Sequence, residues 1–151
     1  MSADLRVLNR QRARPVNTRL LRRMILHLLD GAEFDLTIHL VGPAEMARLN
    51  QHHLGHEGST DVITLDYSDN PATPLAGEIF VCLEDAILQA GEFRATWQSE
   101  LARYVIHGIL HLQGFDDLKP AARRKMKRAE NSRVKALAAK FPLKRLDAKA
   151  R

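Results

Sequence analysis

The stretch HGILHLQGFDD, His107 to Asp117, sets two histidines four residues apart, a glycine three residues after the second, and two aspartates beyond it. On a helix, residues four apart stand one turn above the other, so both imidazoles project from one face and can converge on a point. Gly114 can stop that helix, because glycine accepts the left-handed conformation of a C-cap at little cost and lets the chain turn back. Such a turn returns either Asp116 or Asp117 towards the histidines. Two histidines and a carboxylate with an open fourth position form a zinc set suited to activating water. Gly108 adds to the pattern: a glycine inside a helix costs about 1 kcal/mol relative to alanine. Something must therefore approach that backbone closely, whether a ligand or a packed neighbour.

The spacing His, four, three, three also resembles the extended zinc-peptidase signature H-E-x-x-H-x-x-G-x-x-H, in which the glutamate is the general base. Here Gly108 stands where that glutamate would be. Ordinary peptidase chemistry thus loses its proton acceptor.

The elements that must position these groups are legible in outline. Residues 3–11 alternate apolar and polar like a strand, and Pro15 breaks the chain before a helix capped by Asn17 or Thr18. Leu20, Leu21, Met24, Ile25, Leu28 and Leu29 recur at helical spacing, and Gly31 ends the run. FDLTIHLVG alternates as a half-buried strand containing His39, and Pro43 suits the first turn of a helix over PAEMARLNQHHL. Two further strands are expected at Val62–Leu65 and Glu78–Leu83. Three helices follow, near Asp85–Gly91, Thr96–Gln113 and Pro120–Lys140. The order of elements predicts an α+β fold: a small, mixed, mostly parallel four-stranded sheet with about five helices packed on it. One domain over residues 1–141 is expected, with residues 142–151 a frayed basic tail.

Charge is sorted along the chain. Residues 1–30 carry 7 Lys and Arg against 2 acids, residues 31–118 carry 3 against 14, and residues 119–151 carry 13 against 2. Basic ends fit a polyanionic partner and an acidic middle fits a cation. No stretch approaches the roughly 20 apolar residues needed to span a bilayer, and the first residues lack the apolar run of a secretory signal. The single cysteine, Cys82, cannot form an internal disulfide. These features predict a cytoplasmic protein with no membrane partner.

HGILHLQGFDD resembles the motif H-G-x-L-H-L-x-G-Y-D-H of the YbeY family, bacterial metal-dependent endoribonucleases associated with ribosomal RNA maturation. STDVITL, Ser59 to Leu65, resembles that family's P-T-D-V-L-S-F strand, and LAGEIFVC, Leu75 to Cys82, its L-G-D-I-V-I-C strand. The three motifs come in family order over roughly residues 36–118. The resemblance implies a metallohydrolase-like domain holding one Zn2+ per chain through His107, His111 and Asp117, with Asp117 where the family has a third histidine. It implies a zinc-dependent endoribonuclease, specific for single strands, acting in ribosomal RNA maturation and ribosome quality control. The implied partners are single-stranded or ribosomal RNA and the small ribosomal subunit or its assembly factors. The family's arginine, upstream of the T-D-V strand, aligns with Leu54, so the resemblance supplies no catalytic side chain beyond the metal-activated water. His52, His53 and His56 are nearby donors that could stand in for it.

Arg22, Arg23, Arg123, Arg124, Lys127 and Arg128 are the candidate RNA contacts. Thr60 and Asp61 match family positions and also suit a turn; Asp61 could hold a ligand histidine from behind. Glu100 and Tyr104 share the helical stripe of the two histidines, with burial against the sheet the expectation for Tyr104. Trp97 and Phe115 could stack bases, or be core. Two other function classes fit the residues: a noncatalytic RNA- or ribosome-binding assembly factor with a structural metal, and a zinc peptidase-like hydrolase.

Overall fold

The computed structural model describes residues 3–54, 62–68 and 74–150. Its elements are Ala3–Asn9 (β1), Thr18–Leu28 (α1), Phe34–Val41 (β2), Pro43–Leu54 (α2), Val62–Asp66 (β3), Leu75–Cys82 (β4), Leu83–Glu92 (α3), Trp97–Leu112 (α4), Pro120–Lys140 (α5) and a 3₁₀ turn at Leu143–Leu146. The caps are those the side chains dictate. Asn17 accepts from the Leu20 N–H and Thr96 from the Ser99 N–H, closing the first turns of α1 and α4. Gly31 takes φ +80° just past α1, where a side chain would be strained.

The strands pair in the order β1-β2-β4-β3. β1, β2 and β4 run parallel, and β3 closes the sheet antiparallel to β4, with Ile63 opposite Phe80 and Val62 opposite Val81. Alternation along β2 and β4 splits their side chains between two cores. Leu36, Ile38, Leu40, Ile79 and Val81 pack with α1 and α4 in the main core. Phe80, Cys82 and Val41 turn the other way, towards Met46 of α2 and Ile63 of β3. β4 starts at Leu75, three residues before the expected Glu78, because Gly77 belongs to the ladder. A Cβ there would lie 2.4 Å from the Leu65 carbonyl oxygen and 2.8 Å from Leu112 of α4.

The α2 side of the sheet carries a polar network. Arg10 pairs with Glu45 at 2.6 Å and approaches His39 Nδ1 at 3.0 Å. An arginine can only donate, so Nδ1 accepts, and the ring proton sits on Nε2, which donates to Glu78 at 2.7 Å. Tyr67 donates to the same carboxylate, which drives its own phenol up to about 12. Burial pushes the Glu78 carboxyl up, but the hydrogen bonds from Tyr67 and His39 outweigh it, and it rests below its ordinary value.

Residues 142–150, expected as a frayed tail, make contacts with the body of the protein in the structure. Leu146 is fully buried in the main core, Asn17 N–H donates to its carbonyl, Ala148 N–H donates to Pro15, and Val16 and Asp147 form an antiparallel bridge. The lone apolar residues among the lysines and arginines find a seat beside α1 that composition alone does not disclose. The His52, His53 and Leu54 side chains, and Gly55, His56, Ser59, Thr60 and Asp61, lie outside what the structure describes. The expectations placed on them have no structural counterpart here. Among the described residues, no helix is long and apolar enough to cross a membrane.

Candidate metal centre

α4 lies along β4 and presents His107 and His111 one turn apart near its C-terminal end. Gly108 is what allows that approach. A Cβ at this position would come within 2.7–2.9 Å of three side-chain carbons of Ile79, which is wholly buried on β4. The glycine therefore serves helix-to-sheet contact, and the ligand is not what approaches it.

The end of α4 forms a Schellman turn. Gly114 takes φ +97°, its N–H bonds the His111 carbonyl at 3.0 Å, and the Phe115 N–H bonds the Leu110 carbonyl at 3.0 Å. The turn has two consequences for the site. It places the Phe115 carbonyl 3.2 Å from His111 Nδ1, and it returns the chain so that Asp117 Oδ2 lies 3.5 Å from His111 Nε2 and 3.6 Å from His107 Nε2. Asp116 instead accepts from the Leu118 N–H and orders the loop, which decides between the two aspartates.

His107 is held from the other side. Its Nδ1 lies 3.0 Å from Glu130 Oε2, on α5, and the second oxygen of that carboxylate bonds Arg103 at 2.7 Å. Glu130 is 5% exposed. Burial pushes its carboxyl up, but the hydrogen bonds from His107 and Arg103 and the charge of Lys127 outweigh burial and hold it at about 2. Both Nδ1 atoms thus face pure acceptors, a carboxylate and a carbonyl, so both carry the ring proton. In the neutral rings both Nε2 atoms then present lone pairs. They stand 3.2 Å apart with the Asp117 carboxylate beside them. Three acceptors converge, an arrangement that suits a bound cation. Tetrahedral zinc with bonds of about 2.0–2.2 Å separates its ligand atoms by about 3.3–3.6 Å, and the donor separations here are 3.2, 3.5 and 3.6 Å. His107, His111 and Asp117 are also the metal-competent cluster found among the described residues.

The three groups line a cleft of about 870 Å³ between β3, α3, α4 and α5. Val62 and Thr64 form one wall, Gln89 and the exposed ring of Phe93 stand at the α3 end, and Arg103, Arg123 and Lys127 supply positive charge. Glu100 and Tyr104 also line it, the latter 8% exposed and packed in the core as expected. Trp97 and Phe115 pack against the core, with Lys125 and Arg133 over the Phe115 ring at 5.7 and 5.8 Å.

The six candidate RNA contacts separate. Arg123 and Lys127 face the cleft, and Arg123 also donates to the Asp117 carbonyl at 3.1 Å. Arg124 and Arg128 are exposed on α5 but outside the lining. Arg22 donates to the Leu5 carbonyl, fastening α1 to β1, and Arg23 lies over the Phe141 ring. These two sit over the β1 edge, whereas the cleft opens over the β3 edge, at the other side of the sheet. Glu130 and Arg103 escape the motif reading, yet each left a signal. Glu130 shares the stripe of Met126, Val134 and Leu137, where a carboxylate can be buried only with partners. Arg103 precedes His107 by one turn on the same face.

Comparison with known proteins points the same way. A family profile described as Endoribonuclease YbeY fits residues 6–138. The chain is 33% identical over 135 residues to the Endoribonuclease YbeY of Salinibacter ruber, covering 83% of this chain and 86% of that protein. It is 35% identical over 119 residues to the one from Aromatoleum aromaticum, covering 79% and 75%. Among solved structures, the solution structure of TM1509 from Thermotoga maritima superposes with a TM-score of 0.67 at 27% identity, covering 97% of this chain and 99% of that one.

Proposed function

This chain belongs to the YbeY family, and from that premise we propose that it is a zinc-dependent endoribonuclease that cuts single-stranded RNA in the maturation of ribosomal RNA. The carrying observation is the convergence of three potential ligand atoms, His107 Nε2, His111 Nε2 and Asp117 Oδ2, at one wall of a cleft that also holds Arg103, Arg123 and Lys127. Two imidazoles and one carboxylate suit zinc, which is the ion we assign to the site. When bound, zinc would supply Lewis acidity, polarising a phosphoryl oxygen and making water acidic enough to attack phosphorus.

The protein's own groups do the rest. Glu130 and the Phe115 carbonyl fix the tautomers and orientations of the two histidines, so no rearrangement is needed before they act. Arg123 and Lys127 neutralise the phosphodiester that enters the cleft, and their position sets which phosphate faces the three acceptors. A cleft open along one side accepts an extended single strand, whereas a duplex presents its phosphates on a wider, stiffer surface. Association with the small ribosomal subunit or its assembly factors, and a cytoplasmic location, belong to the same proposal.

The test is metal content per chain by mass spectrometry on wild type and Asp117→Ala, paired with cleavage of single-stranded RNA by the same samples. One zinc per wild-type chain, lost together with cleavage in the variant, is the expected result. Stoichiometric zinc without cleavage would overturn the enzyme reading in favour of a noncatalytic RNA-binding assembly factor. A metal-free, inactive wild type would overturn the site itself.

A further inference from the structure

The C-terminal segment and the loop before α1 are both basic, and the structure fastens them together. Antiparallel bonding of Val16 with Asp147, flanked by the Asn17–Leu146 and Ala148–Pro15 hydrogen bonds at 2.8 and 2.9 Å, lays residues 14–19 against residues 144–149. One turn further along α1, Arg23 lies over the Phe141 ring at 5.7 Å. Arg14, Arg19, Arg23, Lys144, Arg145 and Lys149 thereby become exposed neighbours. Among the described residues none of the six is in an ion pair. The acid in their midst, Asp147, accepts from the Lys149 backbone N–H at 2.9 Å, and the six cations against this one carboxylate leave the surface strongly positive.

This surface is separate from the cleft. The Gln98 side chain reaches the Lys144 carbonyl at 3.4 Å, which sets the 3₁₀ turn beside the first turn of α4. His107 and His111 lie nine and thirteen residues further along the same helix, about 14 and 20 Å away at 1.5 Å per residue.

We propose that the two terminal segments form a second RNA-binding surface, which grips the phosphate backbone of the same RNA molecule outside the cleft. Unpaired cations, four of the six being arginines, carried on a backbone that the bridge has already fixed, match phosphate oxygens better than a mobile tail would, because the planar guanidinium fork suits phosphate and less backbone entropy is lost on binding. A lipid surface is a poorer match. Membrane-surface segments pair their cations with inserted apolar side chains, and among the described residues none of the large exposed apolar side chains falls on residues 14–23 or 141–149. The surface lengthens the footprint on RNA and converts cleft binding into an intramolecular step for any substrate long enough to reach both. It selects long or structured RNA over short fragments without reading sequence.

The inference rests on the RNA-cleaving reading, and one experiment separates the two. The full chain carrying Arg14→Gln, Arg19→Gln, Arg145→Gln and Lys149→Gln is compared with wild type and with a charge-keeping control, Arg14→Lys, Arg19→Lys and Arg145→Lys. Affinity is measured for a long RNA and cleavage for a short oligonucleotide that fills the cleft alone. The glutamine variant should bind the long RNA at least about tenfold more weakly at moderate salt, with the slope of log affinity against log salt reduced by about 3, since each phosphate no longer neutralised removes roughly 0.7–0.9. Cleavage of the short oligonucleotide should match wild type, and the lysine control should keep the wild-type salt slope. Equal long-RNA affinity in wild type and the glutamine variant overturns this surface and leaves the cleft reading intact. Loss of binding to anionic vesicles with RNA affinity retained also overturns it. A wild type that neither binds nor cuts RNA overturns the parent reading instead.

Discussion

Replacing Glu130 with glutamine tests the ligand geometry without touching a ligand. The carboxylate accepts from His107 Nδ1 at 3.0 Å with one oxygen and from Arg103 at 2.7 Å and Lys127 at 3.3 Å with the other. An amide has one acceptor and one donor end and fits neither way round. With its oxygen towards His107, its NH2 meets the Arg103 and Lys127 donors head on. With its NH2 towards His107, Nδ1 must accept, the ring proton moves to Nε2, and the atom that should face the cation carries a hydrogen. Outer partners of this kind are worth 10- to 100-fold in metal affinity, or about 1.4–2.7 kcal/mol. The metal-free protein should also lose about 1–3 kcal/mol, since Arg103 keeps a half-buried charge, loses its nearest carboxylate and is left hydrogen-bonded to the neutral Asn131 oxygen at 2.7 Å. Competition against a chromogenic chelator gives the first number and urea unfolding of the metal-free protein the second. Unchanged metal affinity in Glu130→Gln, alongside the stability loss, would refute the reasoning by making Glu130 only a counter-ion for Arg103.

Three further outcomes follow from the packing and the charge network. Gly108→Ala should destabilise by about 1–3 kcal/mol through overpacking on Ile79, and the same change should restore stability when made on top of Ile79→Ala; strictly additive effects in urea unfolding would show that the contact is loose. Leu146→Ala should lose about 2–5 kcal/mol as a buried side chain, whereas a frayed tail would show no change in the denaturation midpoint. Glu78 sits below its ordinary value of 4.5, so its contribution to stability is present above that pH and is lost as the pH falls below it. Thermal melts from neutral to acid pH should therefore fall less steeply below about 4.5 for Glu78→Gln than for wild type; parallel curves would mean that the His39–Glu78–Tyr67 network does not hold the fold.

The sequence by itself determined what lies within one or two turns of a residue. Helical spacing put His107 and His111 on one face, Gly114 ended their helix, and alternation placed β2 and its His39, because i, i+4 and i, i+2 geometry is carried by the local chain. Family motifs then singled out Asp117, and the Schellman turn sets that aspartate beside the histidines while giving Asp116 to the loop. Tertiary structure decided whatever depends on contacts between distant segments. Gly108 became a packing glycine only when β4 lay beneath it. The carboxylate behind His107 came from α5, 23 residues on, and no local rule names a partner at that distance. The basic tail, which composition reads as solvated, was fastened when Leu146 found a hydrophobic seat beside α1, more than a hundred residues earlier in the chain. A repeat of three or four residues limits which face a side chain shows. Which surface meets that face is settled by the packing of the whole chain, where buried area and satisfied polar groups outweigh local preference.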